Sequence, residues 1–121
     1  HLLFHNCADV TVPLHTDSAN NLHFVVSGKK TFFIADANEE FSGSSDGGYQ
    51  DGFSSFKPFN DPKAAQAFGE FVTLSAGDVL FIPPERWHAV HYHEPSISLS
   101  IFDEIDSSLA VTNSHSLKKF Q

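Results

Sequence analysis

Cysteine and basic residues are scarce in this sequence. Cys7 is the single cysteine, so no disulfide can form within the chain, and we expect a reducing, intracellular compartment. Lysine and arginine number 7 against 15 aspartates and glutamates, which gives a net charge of −8 with histidine neutral. Such a chain repels a phosphate backbone and carries no basic stripe, so we expect no nucleic-acid partner.

Long apolar runs are absent as well. Asp, Gly, Pro or His interrupts each run before it reaches the length that spans a bilayer, so the sequence predicts no membrane-spanning segment. The 121 residues are enough for one domain with a single core and too few for two. Because the chain begins at His1 without methionine, we expect a fragment or a processed product.

Short apolar stretches separated by turn residues make up most of the chain. They are rich in Val, Ile and Phe, and phenylalanine alone occurs 13 times. This pattern is typical of β-sandwiches and β-barrels. The predicted strands are 2–7, 10–17, 21–26, 30–35, 71–74, 79–82, 87–93 and 96–102. We therefore expect an all-β fold, a double-layered barrel in which alternate side chains point inward.

Two segments depart from the strand pattern. Residues 36–62 include a Gly- and Ser-rich run, which predicts a long inserted loop that either gates substrate access or only connects strands. A short helical turn is predicted over 63–68. Residues 106–121 are predicted to form a C-terminal helix or tail, which leaves 1–105 as the barrel.

The strand periodicity predicts a polar interior. Residues two apart on a strand share a face, so His15 and Asp17 share one. If that face is inward, the matching faces of three other strands are inward too: Asn21, His23 and Val25; His88, Val90 and Tyr92; Ser96, Ser98 and Ser100. Three serines are unusual in a dry core, so these faces predict a polar pocket.

Two imidazoles and one carboxylate are the chemically informative residues. His15 and Asp17 form an H-x-D pair, and His88 lies far along the chain after a strand that ends at Pro83. This ligand set is that of the facial triad of non-haem Fe(II) oxygenases, which leaves coordination positions open on one side of the metal.

The motifs resemble those of a known family. His15-Thr16-Asp17, Asn21, Lys30, the run Gly77-Asp78-Val79-Leu80-Phe81-Ile82-Pro83 and Trp87-His88 are together similar to the cupin-like JmjC oxygenases. The pattern is most similar to the small hydroxylases typified by the asparaginyl hydroxylase of the hypoxia pathway. The resemblance runs from about Phe4 to Phe102 and implies a double-stranded β-helix, also called a cupin or jelly-roll barrel.

The resemblance also implies cofactors and ligand residues. Fe(II) would be held by His15, Asp17 and His88. The cosubstrate 2-oxoglutarate would be bound by Lys30 at its far carboxylate, with contacts from Asn21 and Ser100. The chain departs from the family at Val12, where relatives usually carry a Thr or Ser that reaches the far carboxylate.

Four further residues have alternative interpretations. His23 is either a packing residue or one that supports the ligand site, and Trp87 is expected to be a core anchor beside the metal strand. Glu85 and Arg86 are expected on the rim of the barrel, where they either pair with each other or contact substrate.

Two functions from different classes follow from the resemblance. The first is an Fe(II)- and 2-oxoglutarate-dependent oxygenase that uses O2 to hydroxylate a protein or peptide side chain, with N-demethylation as a variant of the same step. The second is a catalytically inactive barrel that serves as a structural or binding subunit. Cupins with three His and one Glu are disfavoured, because Asp17 stands where they require a second His.

Overall fold

The computed structural model describes residues 2–5, 8–41, 56–103 and 118–120, and the side chains within 8–41 and 56–102. Nine strands and one short helix lie in this part of the chain. The strands are β1 (Leu2–His5), β2 (Val10–His15), β3 (Asn20–Ser27), β4 (Lys29–Ala35), β5 (Gly69–Ser75), β6 (Val79–Ile82), β7 (His88–Tyr92), β8 (Ser96–Asp103) and β9 (Lys118–Phe120), and the helix is α1 (Pro62–Ala65).

The strands form two antiparallel sheets. One has the order β1-β8-β3-β6-β9 and the other the order β2-β7-β4-β5. A single apolar cluster draws residues from both sheets, among them Val25 and Leu80 from the first and Phe32 and Val90 from the second. The inner faces therefore pack against each other, which is the jelly-roll arrangement expected of a cupin barrel.

A second apolar layer covers the outside of the four-stranded sheet. Its fully buried members include Leu14, Phe33 and Ala89, and it continues into Trp87 and into Ala65 of the short helix. We call this cluster the outer layer and the space between the two sheets the barrel interior. Aromatic side chains from the second half of the predicted loop and from β5 pack against the outer layer: Phe56, Phe59 and Phe71.

A bulge in β2 determines which way His15 faces. Val12 is opposite Val90 and His15 is opposite His88, so two residues of β2, Pro13 and Leu14, lie opposite the single residue Ala89 of β7. Proline has no N–H to continue the ladder, and Pro13 lies inside this bulge. The extra residue turns Leu14 into the outer layer and brings His15 into the barrel interior. Strict alternation from Val12 would have placed these two side chains the other way round.

The predicted all-β fold is confirmed, and the observed strands match the eight predicted ones with ends displaced by up to two residues. The strand that carries the H-x-D pair ends at His15, so Asp17 lies just beyond it. Of the predicted loop, residues 42–55 lie outside the described residues, as do residues 104–117 of the predicted C-terminal helix or tail. Lys118–Phe120 is a strand paired with β6 and not part of a helix, because its backbone completes the edge of the sheet.

Helix is scarce in the described part of the chain. The one helix found there has four residues, and none is long and apolar enough to cross a bilayer.

Candidate metal centre and buried lysine

His15, Asp17 and His88 converge at one end of the barrel interior. One ligand atom from each lies within 4.8 Å of the others, and within the described ranges this is the one group of three such side chains. The Oδ2 atom of Asp17 is 3.3 Å from His88 Nε2 and 3.9 Å from His15 Nε2. The sequence-predicted triad is therefore brought together by the fold.

Backbone carbonyls orient both imidazoles. Nδ1 of His15 donates to the carbonyl of Pro13 at 2.7 Å, and Nδ1 of His88 donates to the carbonyl of Arg86 at 2.8 Å. A carbonyl can only accept, so the proton of each neutral ring is on Nδ1 and the lone pair is on Nε2. In the neutral rings both lone pairs face Asp17, as a metal ligand requires, whereas a hydrogen bond from His88 to Asp17 forms only when Nε2 of His88 carries a proton instead.

The electrostatics of Asp17 favour a cation among these three groups. The hydrogen bond with His88 is the largest cause that holds the pKa of Asp17 below its usual value of 3.8. The charges of His88 and His15 act in the same direction, whereas burial of the carboxyl raises its pKa. A carboxylate beside two imidazole lone pairs is repelled unless a proton or a metal ion lies between them. The donor set thus fits a divalent metal.

Lys30 is buried deeper in the barrel, with only 1% of its surface exposed. Its Nζ atom donates to His23 Nε2 at 3.0 Å and to Ser98 Oγ, and it lies 4.9 Å from the centre of the Tyr92 ring. Burial lowers the pKa of Lys30 to about 8, so the amine is mostly charged at neutral pH. No acidic side chain pairs with it among the residues that the structure describes.

His23 and Ser100 form a polar pair next to Lys30. Nδ1 of His23 is 2.7 Å from Ser100 Oγ. Burial, and next the charge of Lys30, lower the pKa of His23 to about 3, so its ring is neutral at pH 7. Ser100, predicted from the resemblance to be near the metal, thus contacts His23 in this structure.

Among the described side chains, two buried polar atoms in the barrel interior lack a hydrogen-bond partner. They are Oδ1 of Asn21 and Oγ of Ser96. An unsatisfied buried acceptor or hydroxyl costs roughly 1–3 kcal/mol, so natural proteins rarely leave one without a reason. The hydroxyl of Ser96, like the ammonium of Lys30, can donate to an anionic ligand, whereas the amide oxygen of Asn21 can only accept and would bond a donor such as water.

The residues that precede His88 differ in burial. Trp87 is buried in the outer layer, in agreement with the expected core anchor. Glu85 is exposed, and its backbone N–H donates to the carbonyl of Asp17 at 2.7 Å.

Arg86 is not a rim residue, contrary to the expectation from sequence. It is 7% exposed, its Nη1 atom points to the carbonyl of Ala35 at 3.5 Å, and the charges of Asp36 and Glu70 act on it. Arg86 lies in the loop between β6 and β7, and its side chain is turned inward to the carbonyl of Ala35.

Ser98 was not singled out from the sequence as a ligand residue, although it is the second hydrogen-bond partner of Lys30. The available signal was the spacing of three serines two residues apart on one strand. That spacing predicts an inward polar face but does not tell which serine meets the lysine, because the strand register decides this.

Comparisons with known proteins agree with the observed barrel. A family model described as a cupin-like domain matches residues 3–106. A protein of Bacillus subtilis (strain 168) named "Uncharacterized protein YxbC" is 30% identical over 94 residues, which cover 72% of this chain and 28% of that protein.

Solved structures give the same fold at low identity. A Trp-to-Tyr variant of oxalate decarboxylase from Bacillus subtilis aligns with a TM-score of 0.55 and 13% identity, covering 93% of this chain and 22% of that chain. The X-ray structure of E. coli ycfD aligns with a TM-score of 0.51 and 16% identity, covering 84% of this chain and 24% of that chain. This chain spans about a quarter of the length of these relatives. By the match over residues 3–106, it belongs to the family of cupin-like domains.

Proposed function

We propose that this barrel is an Fe(II)- and 2-oxoglutarate-dependent oxygenase of the JmjC type, which hydroxylates a C–H bond of a protein or peptide side chain. The observation that carries the proposal is the pairing of two features in one barrel interior. A two-His, one-Asp cluster lies at one end, and a buried ammonium without an acidic partner in the described chain lies deeper inside.

The donor set favours iron oxygenase chemistry over that of cupins with four protein ligands. His15, Asp17 and His88 would hold the metal on one face, and no fourth His, Asp or Glu joins the cluster among the described residues. Open positions remain for a bidentate cosubstrate and for O2. When bound there, Fe(II) with 2-oxoglutarate supplies the chemistry that hydroxylates a C–H bond, with succinate and CO2 as co-products.

The buried lysine supports a dicarboxylate as the second ligand. A charged amine in an interior this dry is tolerated where an anion pairs with it, and hydrogen bonds to charged groups are the strong ones. The carboxylate of a ligand would supply that anion. Asn21 is proposed to contact the same ligand through its side-chain NH2 group, because an amide nitrogen can donate to a carboxylate.

The other residues of the site bind, orient and exclude water. The carbonyls of Pro13 and Arg86 keep the Nε2 lone pairs of the two imidazoles directed at the metal position. Apolar side chains line the interior between the metal end and Lys30, including Phe32 and Val90. They keep bulk water away from the reacting groups, which strengthens electrostatic interactions there.

An anaerobic titration of the purified protein with Fe(II) and then 2-oxoglutarate tests the proposal. We expect a visible metal-to-ligand charge-transfer band, which decays on admission of O2 while succinate forms. Asp17→Ala and His88→Ala should abolish the band, whereas the matched controls Glu40→Ala and His93→Ala change exposed residues and should keep it. Absence of the band from the folded wild-type protein would refute the proposal and favour a non-catalytic binding or structural barrel.

A further inference from the structure

A cavity lies on the outer side of the four-stranded sheet, between this sheet and the segment 56–60. Its volume is about 290 Å³, close to the lower end of the range for small-molecule sites, roughly 300–1,000 Å³. Pro13, Leu14 and Ala89 form its floor. Leu14 and Ala89 belong to the outer layer, so the sheet itself separates this space, which we call the outer cavity, from the barrel interior.

A turn over residues 57–60 builds the opposite wall of the outer cavity. The N–H of Asn60 donates to the carbonyl of Lys57 at 3.1 Å, and Pro58 at the second position favours such a turn. The turn brings its two ends together, and both ends line the cavity with Phe59 between them. The run Lys-Pro-Phe-Asn thus places one cation and one amide beside an aromatic ring.

Aromatic contacts hold this wall in place. The ring centre of Phe59 is 5.5 Å from that of Phe71 and 5.5 Å from that of His91. Phe56, which also lines the outer cavity, is stacked on Phe41 with the ring centres 5.5 Å apart. Rings packed at these distances stabilise one another. The space is therefore preformed, and a ligand does not have to order the wall when it binds.

The size and lining of the outer cavity match one aromatic ring with a short side chain. An apolar cavity of about 150 Å³ is enough to hold benzene. A volume of about 290 Å³ takes such a ring and several further atoms. Leu14 below and Phe59 above offer the ring apolar and aromatic surface.

Lys57 determines the charge of the ligand. It is the only charged residue among the described residues that line the outer cavity, in a chain whose net charge is −8. No acidic side chain pairs with Lys57 in the described part of the chain. Its stem can lie along the apolar wall while the ammonium stays at the mouth of the cavity. An anionic group at the mouth would therefore gain a cation and, from the amide of Asn60, a hydrogen-bond donor.

We propose that the outer cavity binds a small arylalkyl monocarboxylate, with its ring between Leu14 and Phe59 and its carboxylate at Lys57. A single negative charge follows from the single cation of the described lining. The site shares no residue with the metal triad and does not contain Lys30, so it is independent of the proposed oxygenase activity.

Mapping of amide chemical shifts in the full chain tests this proposal. The probes are 3-phenylpropionate and its uncharged analogue 3-phenylpropanamide, added without metal so that a carboxylate has no metal ion to bind. We expect saturable shifts at Leu14, Ala89 and Asn60 but not at His23 in the barrel interior, with a dissociation constant on the order of 1 mM for the carboxylate. The uncharged probe should bind about threefold more weakly, as expected for loss of one exposed ion pair.

Matched variants locate the binding. Ala89→Leu fills the floor and should lower the affinity for 3-phenylpropionate at least tenfold, whereas Val26→Leu adds the same kind of bulk at an exposed residue elsewhere and should not change it. Lys57→Met should remove the preference for the carboxylate, whereas Lys63→Met, at an exposed lysine of α1, should keep it. The amide spectrum shows whether each variant is folded. If Ala89→Leu is not, Phe59→Ala removes the wall instead, and the affinity should again fall.

Three results would contradict the proposal. Folded wild-type protein without saturable shifts at the lining residues would overturn the site. Equal affinity for the two probes would overturn the anionic class of the ligand. Unchanged affinity in folded Ala89→Leu or Phe59→Ala would overturn the location in the outer cavity. The oxygenase proposal is read at the metal centre, so each of these results leaves it standing.

Discussion

The two faces of the four-stranded sheet have opposite chemistry. The outer layer is an apolar cluster that includes Leu14, Phe33 and Trp87. On the inner face, the same strands present Lys30 and His88 beside the apolar core, and the facing sheet adds His23 and Ser98. The outer layer is built for stability. The inner face carries charged and unsatisfied groups that cost stability, which is expected where a protein must bind a ligand.

The largest expected effect is a loss of stability when a large side chain of the outer layer is truncated. Phe33 is fully buried and its ring centre is 5.2 Å from that of Phe71. We expect Phe33→Ala to lower the free energy of unfolding by about 3–5 kcal/mol, through lost burial and a cavity. Val26→Ala, at a residue that is 58% exposed, should change it by no more than about 0.5 kcal/mol. Urea denaturation of both variants measures the difference, and similar losses would contradict the assignment of stability to the outer layer.

The next effect concerns ligand binding on the inner face. Lys30→Met keeps an apolar stem but removes the ammonium, so we expect the affinity for 2-oxoglutarate to fall about a hundredfold. The affinity for the metal should change by less than about threefold, because Lys30 does not contact the triad. Equal loss of both affinities in calorimetric titrations would show that the lysine supports the whole barrel and not the anion.

A smaller effect is a pH dependence of stability that comes from His23. Its pKa is 6.5 in the unfolded chain and about 3 in the folded protein, so the unfolded state binds the proton more readily. Its contribution to stability is therefore complete above pH 6.5 and is lost as the pH falls from there towards 3. Between pH 7 and pH 5 this amounts to about 2 kcal/mol.

The comparison of wild type with His23→Leu isolates this contribution. Urea denaturation at the two pH values should show that wild type loses about 2 kcal/mol more than the variant, since other titrating groups are common to both. An identical pH dependence in the two proteins would mean that His23 is not buried in neutral form.

The smallest expected effect is a gain in stability on substitution of Glu85, which lies on the loop that leads to His88. Its φ of 59° lies in the left-handed region, which is unfavourable for a residue with a Cβ atom. We expect Glu85→Gly to raise the free energy of unfolding by about 0.5–1 kcal/mol and to leave metal affinity unchanged. Thermal unfolding measures the first and metal titration the second. A loss of metal affinity would indicate that the strained backbone, bonded to the carbonyl of Asp17, orients the triad.

The sequence predicts the fold and the triad better than it predicts the contacts around the lysine. Alternation of apolar residues is local, so it identified the strands and the inward faces. The orientation of His15 depends on the bulge at Pro13, which strand alternation alone does not reveal. The contacts among Lys30, His23 and Ser98 join three strands, and their register is fixed only by tertiary pairing. Arg86 was misplaced on the rim because its burial depends on the acidic groups and the carbonyl that the fold brings to it.

The central claim is that the polar inner face is a ligand site and not a tolerated defect. The most direct test is a crystal structure of the protein grown anaerobically with Mn(II) and 2-oxoglutarate. We expect metal density held by His15, Asp17 and His88, with the far carboxylate of the ligand bonded to Lys30. A metal-loaded barrel in which Lys30 still bonds only His23 and Ser98, with no ligand beside it at saturating 2-oxoglutarate, would contradict the claim.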